Sequence, residues 1–239
     1  MNTTISPSDG KSKGVMRMLQ GAIFDMDGTL VDSLGFWDFI WERMGEYYLA
    51  KSGFCPKPED DKFVRTARIV DGMQHIHKQY GFAESGKALF DFFMAELEEH
   101  YRTRVTAKAG VVEFLQYLQE NGVPMCVASA SEKPLIKTTL EAVGLAKFFP
   151  IIVCCNEVGI GKEAPDVFLA AARALGTPVD STVVFEDSLT AIKSAKRAGF
   201  LTVGIYDRHN FGLDELERTA DWFVGDGESL TKLIPWKDQ

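Results

Sequence analysis

The strongest constraint on the fold of this chain is a regular change of texture between Val111 and Val224. Val111–Glu120 has helical spacing, Asn121-Gly122 is a turn, and Val123–Ala128 is a short apolar run. The cycle then repeats through helix Glu132–Val143, strand Ile151–Cys154, helix Asp166–Leu175, strand Thr182–Phe185, helix Leu189–Ala198 and strand Leu201–Ile205. Gly199 is placed to end the helix before it. A polar loop leads to a short helix Leu213–Thr219, a strand Trp222–Val224 and a last helix near Ser229–Ile234. Strands that are apolar throughout, without polar alternation, are buried on both faces. Helices between consecutive strands make those strands parallel. The expected class is therefore α/β, a doubly wound, Rossmann-like parallel sheet.

A different block interrupts this pattern near its start. Ala22–Phe24 reads as a buried strand, yet from about Leu34 to Arg104 only helical patterns occur. Phe36, Trp37, Phe39, Ile40, Trp41, Met44, Tyr47 and Tyr48 recur at helical spacing. Gly53 and Pro56-Lys57-Pro58 break that helix. Shorter helices follow over Asp60–Ile69 and Met73–Tyr80, and another runs from about Gly86 to His100. The expected organisation is a flexible leader over 1–18, a sheet domain built from 19–33 and 105–239, and an inserted all-helical domain over 34–104.

Charge and cysteine usage narrow the classes of function. The net charge is −8 and the pI about 5.1, with no basic tract, so nucleic acid is not an expected partner. An acidic protein that binds a phosphate needs local cations, which draws attention to single lysines and to a divalent metal. Cys55, Cys126, Cys154 and Cys155 show no ligand spacing and read as structural thiols of a reducing, cytoplasmic protein. No apolar run reaches the ~18 residues of a membrane span. A monomer is expected.

Ligands of an open parallel sheet bind at the carboxyl ends of its strands. The first strand ends in Asp25-Met26-Asp27-Gly28-Thr29-Leu30, with two carboxylates two residues apart. Like charges this close raise each other's pKa unless a cation lies between them. The next strand ends in Ser129-Ala130-Ser131, the loop after the third carries Gly161-Lys162-Glu163, and the fourth ends in Glu186-Asp187-Ser188. Each has a plainer role available. Ser129 and Ser188 suit helix caps, and Lys162 suits a solvated loop. Together they are the equipment for phosphoryl transfer through a carboxylate nucleophile with Mg2+.

These motifs, in this order, resemble the haloacid dehalogenase-like superfamily. The likeness covers about residues 20–35 and 105–225 by motif, and the intervening block by its helical character, which resembles the cap of the superfamily's first subclass. The resemblance implies that Asp25 is the nucleophile and Asp27 the general acid/base. It implies that Ser129, with Ala130, holds a phosphate oxygen and that Lys162 neutralises charge. Mg2+ would sit on Asp25, the backbone carbonyl of Asp27, and Asp187 with Glu186 nearby. An acid at Asp27 marks phosphate-ester enzymes rather than dehalogenases. The implied activity is hydrolysis of a small phosphate monoester, a sugar phosphate or similar metabolite, through an aspartyl phosphate. The alternatives are a beta-phosphoglucomutase-like phosphomutase and a non-catalytic regulatory member. Mutases of that branch commonly carry His where this chain has Trp37, and their Arg-x-x-Ser is here Arg65 followed by Arg68. Trp37, near the start of the insert, is a candidate substrate contact. Arg65 and Arg68 suit either an anion or a solvated helix face.

Overall fold

The protein's structure, a computed structural model, describes residues 19–66 and 69–234. The leader expected over 1–18 and Arg68 lie outside the described residues. The chain divides into two compact units, one formed by residues up to Ser33 and from Val105 onward, the other by Leu34–Arg104.

The first unit is built on a six-stranded sheet, with helices covering it. Its strands are β1 (Gly21–Phe24), β4 (Met125–Ser129), β5 (Ile151–Cys154), β6 (Thr182–Glu186), β7 (Leu201–Ile205) and β8 (Trp222–Val224), in the order β5-β4-β1-β6-β7-β8. Every pairing is parallel, with Phe24 in register with Val127 on one side and Phe185 on the other. β1, β4 and β6 are buried along their whole length, which is why they read as continuous apolar runs. The chain runs outward from β1 through β4 to β5, then returns to lay β6, β7 and β8 on the other side. This reversal puts the topological switch point at β1, where such sheets place their ligands.

Alternate side chains of β1 serve the two faces. Phe24 stacks on Phe185 at 4.3 Å between ring centroids and meets the edges of Phe114 and Phe149. Phe114 belongs to α5 (Val111–Glu120). Ile23 faces the opposite layer with Cys126, Ala128 and Val184, under Val167, Phe168 and Ala171 of α8 (Asp166–Leu175) and Ala191 and Ala195 of α9 (Leu189–Arg197). Burying each such aromatic contributes about 3 kcal/mol, the upper end for a large apolar side chain.

The second unit contains α1 (Phe36–Leu49), α2 (Pro58–Thr66), α3 (Ile69–Tyr80) and α4 (Gly86–Thr103). Its core joins Phe36, Ile40, Trp41 and Met44 of α1 to Val64, Met73, Ile76, Leu89 and Phe93. The stripe of large residues predicted on α1 is thus the core of this unit. Ser85 starts α4 by accepting a hydrogen bond from the Ala88 amide at 3.1 Å. α3 begins at Ile69, earlier than the Met73 expected from the sequence, because Ile69 packs against the core.

Three features of the first unit depart from the sequence pattern. β2 (Val31–Asp32) and β3 (Thr106–Ala107) form a small antiparallel ribbon, too short to show alternation. α7 (Cys155–Val158) is a single turn between β5 and the Lys162 loop. The last expected helix is a 3-10 turn over Leu230–Leu233, capped by Ser229. α6 (Lys133–Ala142) and α10 (Leu213–Thr219) follow β4 and β7 as the pattern requires.

Candidate active site

The first motif is held in place by a tight turn directly after β1. The Asp25 amide continues the ladder by donating to the carbonyl of Phe185 at 2.9 Å. The Met26 carbonyl then collects the amides of Leu30 and Val31 at 2.9 and 3.1 Å, and the Gly28 amide donates to the Val31 carbonyl at 3.0 Å. This reversal needs a left-handed residue, and Gly28 supplies it with φ 75°. The turn leaves Asp25 buried at the end of the central strand, with Asp27 half-buried beside it.

Each predicted motif of the sheet unit reaches this rim. Lys162 Nζ donates to Asp25 Oδ1 and, at 2.6 Å, to Glu186 Oε1. Glu186 Oε2 accepts the Ser188 amide at 2.8 Å, so both its oxygens are engaged. Burial works against the Lys162 charge, but Asp25 and Glu186 outweigh it and hold the ammonium above the ordinary lysine range. Carboxylate oxygens of Asp25, Glu186 and Asp187 all lie within 4.8 Å of one another, and all three residues are buried. Burial pushes Asp25 up from 3.8 to about 7; Lys162 pulls it down, while Glu186 and Asp27 add to the rise. Burial, then Glu186 and Asp25, likewise drive Asp187 well above the carboxylate range. Three carboxylates thus share one ammonium in a place with little water. Hard oxygen donors with excess negative charge are the donor set of Mg2+, so these residues fit that ion.

Asp27 is held differently. Ser33 Oγ donates to its Oδ1 at 2.7 Å and Ser131 Oγ to its Oδ2 at 2.9 Å. Ser129, at the end of β4, is 1% exposed, and its Oγ accepts the Ser131 amide at 3.0 Å. Ala130 follows it on the surface. The Lys162 loop is fixed from behind, where Ser194 Oγ of α9 donates to the Lys162 carbonyl at 2.6 Å.

Several of these supports were not singled out in the sequence. Ser131 and Thr29 lie inside the motifs. Ser33 stands six residues past Asp27, in the hairpin arm. Asn210 lies in the loop after β7, another strand carboxyl end, and donates to Asp187. Reading that strand end like the others would have flagged it. Lys108 directly follows β3, a strand too short to be read from the sequence, and gave no signal. A cavity of about 270 Å3 lies beside Thr29 and Lys108, with Asp32, Tyr206 and Glu228 in its walls. Asp25, Asp27, Lys162 and Asp187 do not line it, but it adjoins the site through Thr29.

The remaining candidates belong to the helical unit. Trp37 is half-buried among Phe93, Trp41 and Phe36, at centroid distances of 5.7, 6.3 and 6.2 Å. The Arg65 guanidinium lies 5.3 Å from its ring. Arg65 is neither a solvated charge nor an open anion contact. Its side chain is 12% exposed, its Nε donates to both oxygens of Asp61 at 2.9 Å, and its terminal nitrogen pairs with Asp38 at 3.6 Å. His75 and His77 do not share a ligand: His75 pairs with Asp60 and His77 with the Phe82 carbonyl.

The chain is similar to known phosphatases and hydrolases. Hexitol phosphatase A of Escherichia coli (strain K12) is 26% identical over 186 residues, 78% of this chain and 82% of that protein. The phosphorylated carbohydrates phosphatase of Thermotoga maritima is 26% identical over 219 residues, 90% of this chain and 98% of its own length. Among solved structures, a HAD family hydrolase from Deinococcus radiodurans R1, with bound phosphate and sodium, matches with a TM-score of 0.67 and 28% identity over 86% of this chain and 90% of that one. The family model for haloacid dehalogenase-like hydrolases matches residues 19–199, from just before β1 to the end of α9. The chain belongs to the haloacid dehalogenase-like hydrolase family.

Proposed function

We propose that this protein is a Mg2+-dependent phosphatase of small phosphate monoesters, sugar phosphates in particular, that works through an aspartyl phosphate. The observation that carries the reading is Asp25: a buried carboxylate at the switch point, touched by Lys162 and flanked by Asp187. The substrate class rests on the similarity to a hexitol phosphatase and a phosphorylated carbohydrates phosphatase. The sheet unit is assigned the chemistry. The helical unit is assigned selectivity, with Trp37 as a candidate substrate contact.

An oxygen of Asp25 attacks phosphorus, and the bond from phosphorus to the ester oxygen breaks. Asp27, oriented by Ser33 and Ser131, gives its proton to that leaving oxygen. Ser129 and the amide of Ala130 hold a phosphate oxygen, and Lys162 offsets charge on the phosphate and on Asp25. Asp27 then takes a proton from water as the water oxygen attacks phosphorus, and the bond to Asp25 breaks to release inorganic phosphate. Asp25, Asp187 and the Asp27 carbonyl, with Glu186 adding charge, would hold Mg2+, which when bound neutralises the carboxylates and the phosphate.

The test is phosphate release from p-nitrophenyl phosphate and a panel of hexitol and sugar phosphates. EDTA is expected to abolish turnover and Mg2+ to restore it; full activity in metal-free buffer overturns the reading. Incubation with beta-glucose 1-phosphate and a trace of the 1,6-bisphosphate is expected to give mainly inorganic phosphate. Dominant glucose 6-phosphate would replace hydrolysis with mutase chemistry.

A further inference from the structure

The loop after β7 reaches back to Asp187. Asn210 uses one amide group twice: Nδ2 donates to Oδ2 of Asp187 at 2.5 Å and to the main-chain carbonyl of the same residue at 3.0 Å. We propose that Asn210 is a positioning residue that fixes the Asp187 carboxylate for a divalent cation, an inference resting on the reading of Asp25 and Asp187 as the metal site.

Three observations carry it. First, a donor that grips both the side chain and the main chain of one residue closes a small ring and locks the rotation between them. Thr29 Oγ1 approaches Oδ1 at 3.3 Å, so both carboxylate oxygens carry a protein donor. A carboxylate offers about four lone-pair sites, so each oxygen keeps one for a cation.

Second, the donors are neutral. Glu186 is matched by the Lys162 ammonium, whereas Asp187 is met by an amide and a hydroxyl. Dipoles orient the carboxylate without cancelling its charge. Outer partners that orient metal ligands in this way typically contribute a factor of about 10–100 in metal affinity.

Third, Asn210 is itself anchored to the first motif. Its amide donates to the Asp207 carbonyl at 3.0 Å. Asp207 is 4% exposed; its Oδ1 accepts the His209 amide at 2.9 Å and its Oδ2 accepts Lys108 Nζ at 2.9 Å. Lys108 Nζ also donates to the carbonyls of Gly28 at 2.5 Å and Tyr206 at 2.9 Å. The backbone of the residue that holds Asp187 is therefore braced against the turn that carries Asp25 and Asp27.

The experiment is calorimetric titration of Mg2+ into the metal-free full chain, wild type against Asn210→Ala and Asn210→Leu. Leu keeps the branched shape and heavy-atom count of Asn and removes the donor. Asn210 is half-buried on a loop outside the hydrophobic cores, and a cooperative melt without metal confirms that each variant is folded. Both variants are expected to raise the Mg2+ Kd by about 10–100-fold. A wild-type Kd in both, with or without a lowered metal-free Tm, would mean that Asn210 serves only its loop and overturns the inference. If the wild type itself takes up no Mg2+, the metal-site reading fails first and the inference with it.

Discussion

Asp25→Asn probes the electrostatics of the site without any substrate. Folding carries Asp25 from an ordinary 3.8 to about 7, chiefly through burial. The native state therefore keeps a proton that the unfolded chain releases between about pH 4 and pH 7. In that window the native state binds more protons, so metal-free stability falls as pH rises, and above pH 7 the whole loss is in place. About three pKa units at 1.36 kcal/mol each set its size at up to about 4 kcal/mol. Asn mimics the protonated acid and does not pay this cost. Lys162 keeps Glu186 at 2.6 Å in the variant, so its ammonium is not stranded. In EDTA at pH 8 the variant is expected to melt higher than the wild type, by on the order of 10 °C for a chain of this size. Near pH 4 the two are expected to converge. Excess Mg2+, about 100 times its Kd, should raise wild-type stability by about 2.7 kcal/mol and the variant by much less. Calorimetric melts across pH 4–8.5, with and without metal, make the comparison. An Asp25→Asn protein that melts at or below wild type at pH 8 in EDTA refutes the argument.

Asp27→Asn should leave the nucleophile but remove proton donor and base; p-nitrophenyl phosphate, with its good leaving group, is expected to give a burst of up to one equivalent and then turnover about 10²–10⁴-fold slower, seen by stopped flow. Wild-type steady turnover would show that Asp27 is not the acid/base. Cys55 is exposed while Cys126, Cys154 and Cys155 are buried, and burial pushes the Cys126 thiol up to about 12; a thiol reagent should therefore titrate one group quickly in the native protein and four after denaturation. Arg65→Ala should destabilise the helical unit by about 2 kcal/mol, the loss of a charge-assisted hydrogen bond to Asp61. Arg65→Lys should recover only part of that, because a single ammonium cannot place one nitrogen on Asp61 and another near Asp38; full recovery in a tryptophan-fluorescence melt would contradict the geometry.

The sheet was legible because its central strands, β1, β4 and β6, are buried on both faces. A run such as Thr182-Val183-Val184-Phe185 has few other uses, and the motifs stood out because carboxylates at the ends of such runs are costly. The supports of the site were less legible. Ser33, Ser131 and Asn210 act through hydrogen bonds to groups far away in sequence, and short polar residues in loops carry no period to mark them. The β2–β3 ribbon was missed for a related reason, since two residues per strand cannot alternate visibly. Arg65 shows the opposite failure. A charged residue on a helix reads as solvated, and only the fold reveals that Asp61, Asp38 and Trp37 enclose it.

The β2–β3 ribbon has a consequence for how such a chain can be rebuilt. Val31 pairs with Ala107 and Asp32 with Thr106, so the helical unit is, topologically, the loop of a β-hairpin. Closing a hairpin with about seventy residues rather than about four adds only about 2.5 kcal/mol even for a structureless loop. Val31 also closes the first-motif turn through both its amide and its carbonyl. A splice point past Ser33, whose Oγ donates to Asp27, therefore lies outside the hydrogen bonds that shape Asp25 and Asp27. A hairpin of this kind is an exchange port: the insert can be lengthened, shortened or swapped for a foreign domain while the turn that holds the carboxylates stays closed. On the proposed assignment of selectivity to the helical unit, one sheet accepts new substrates by changing a cassette rather than by redesigning its chemistry.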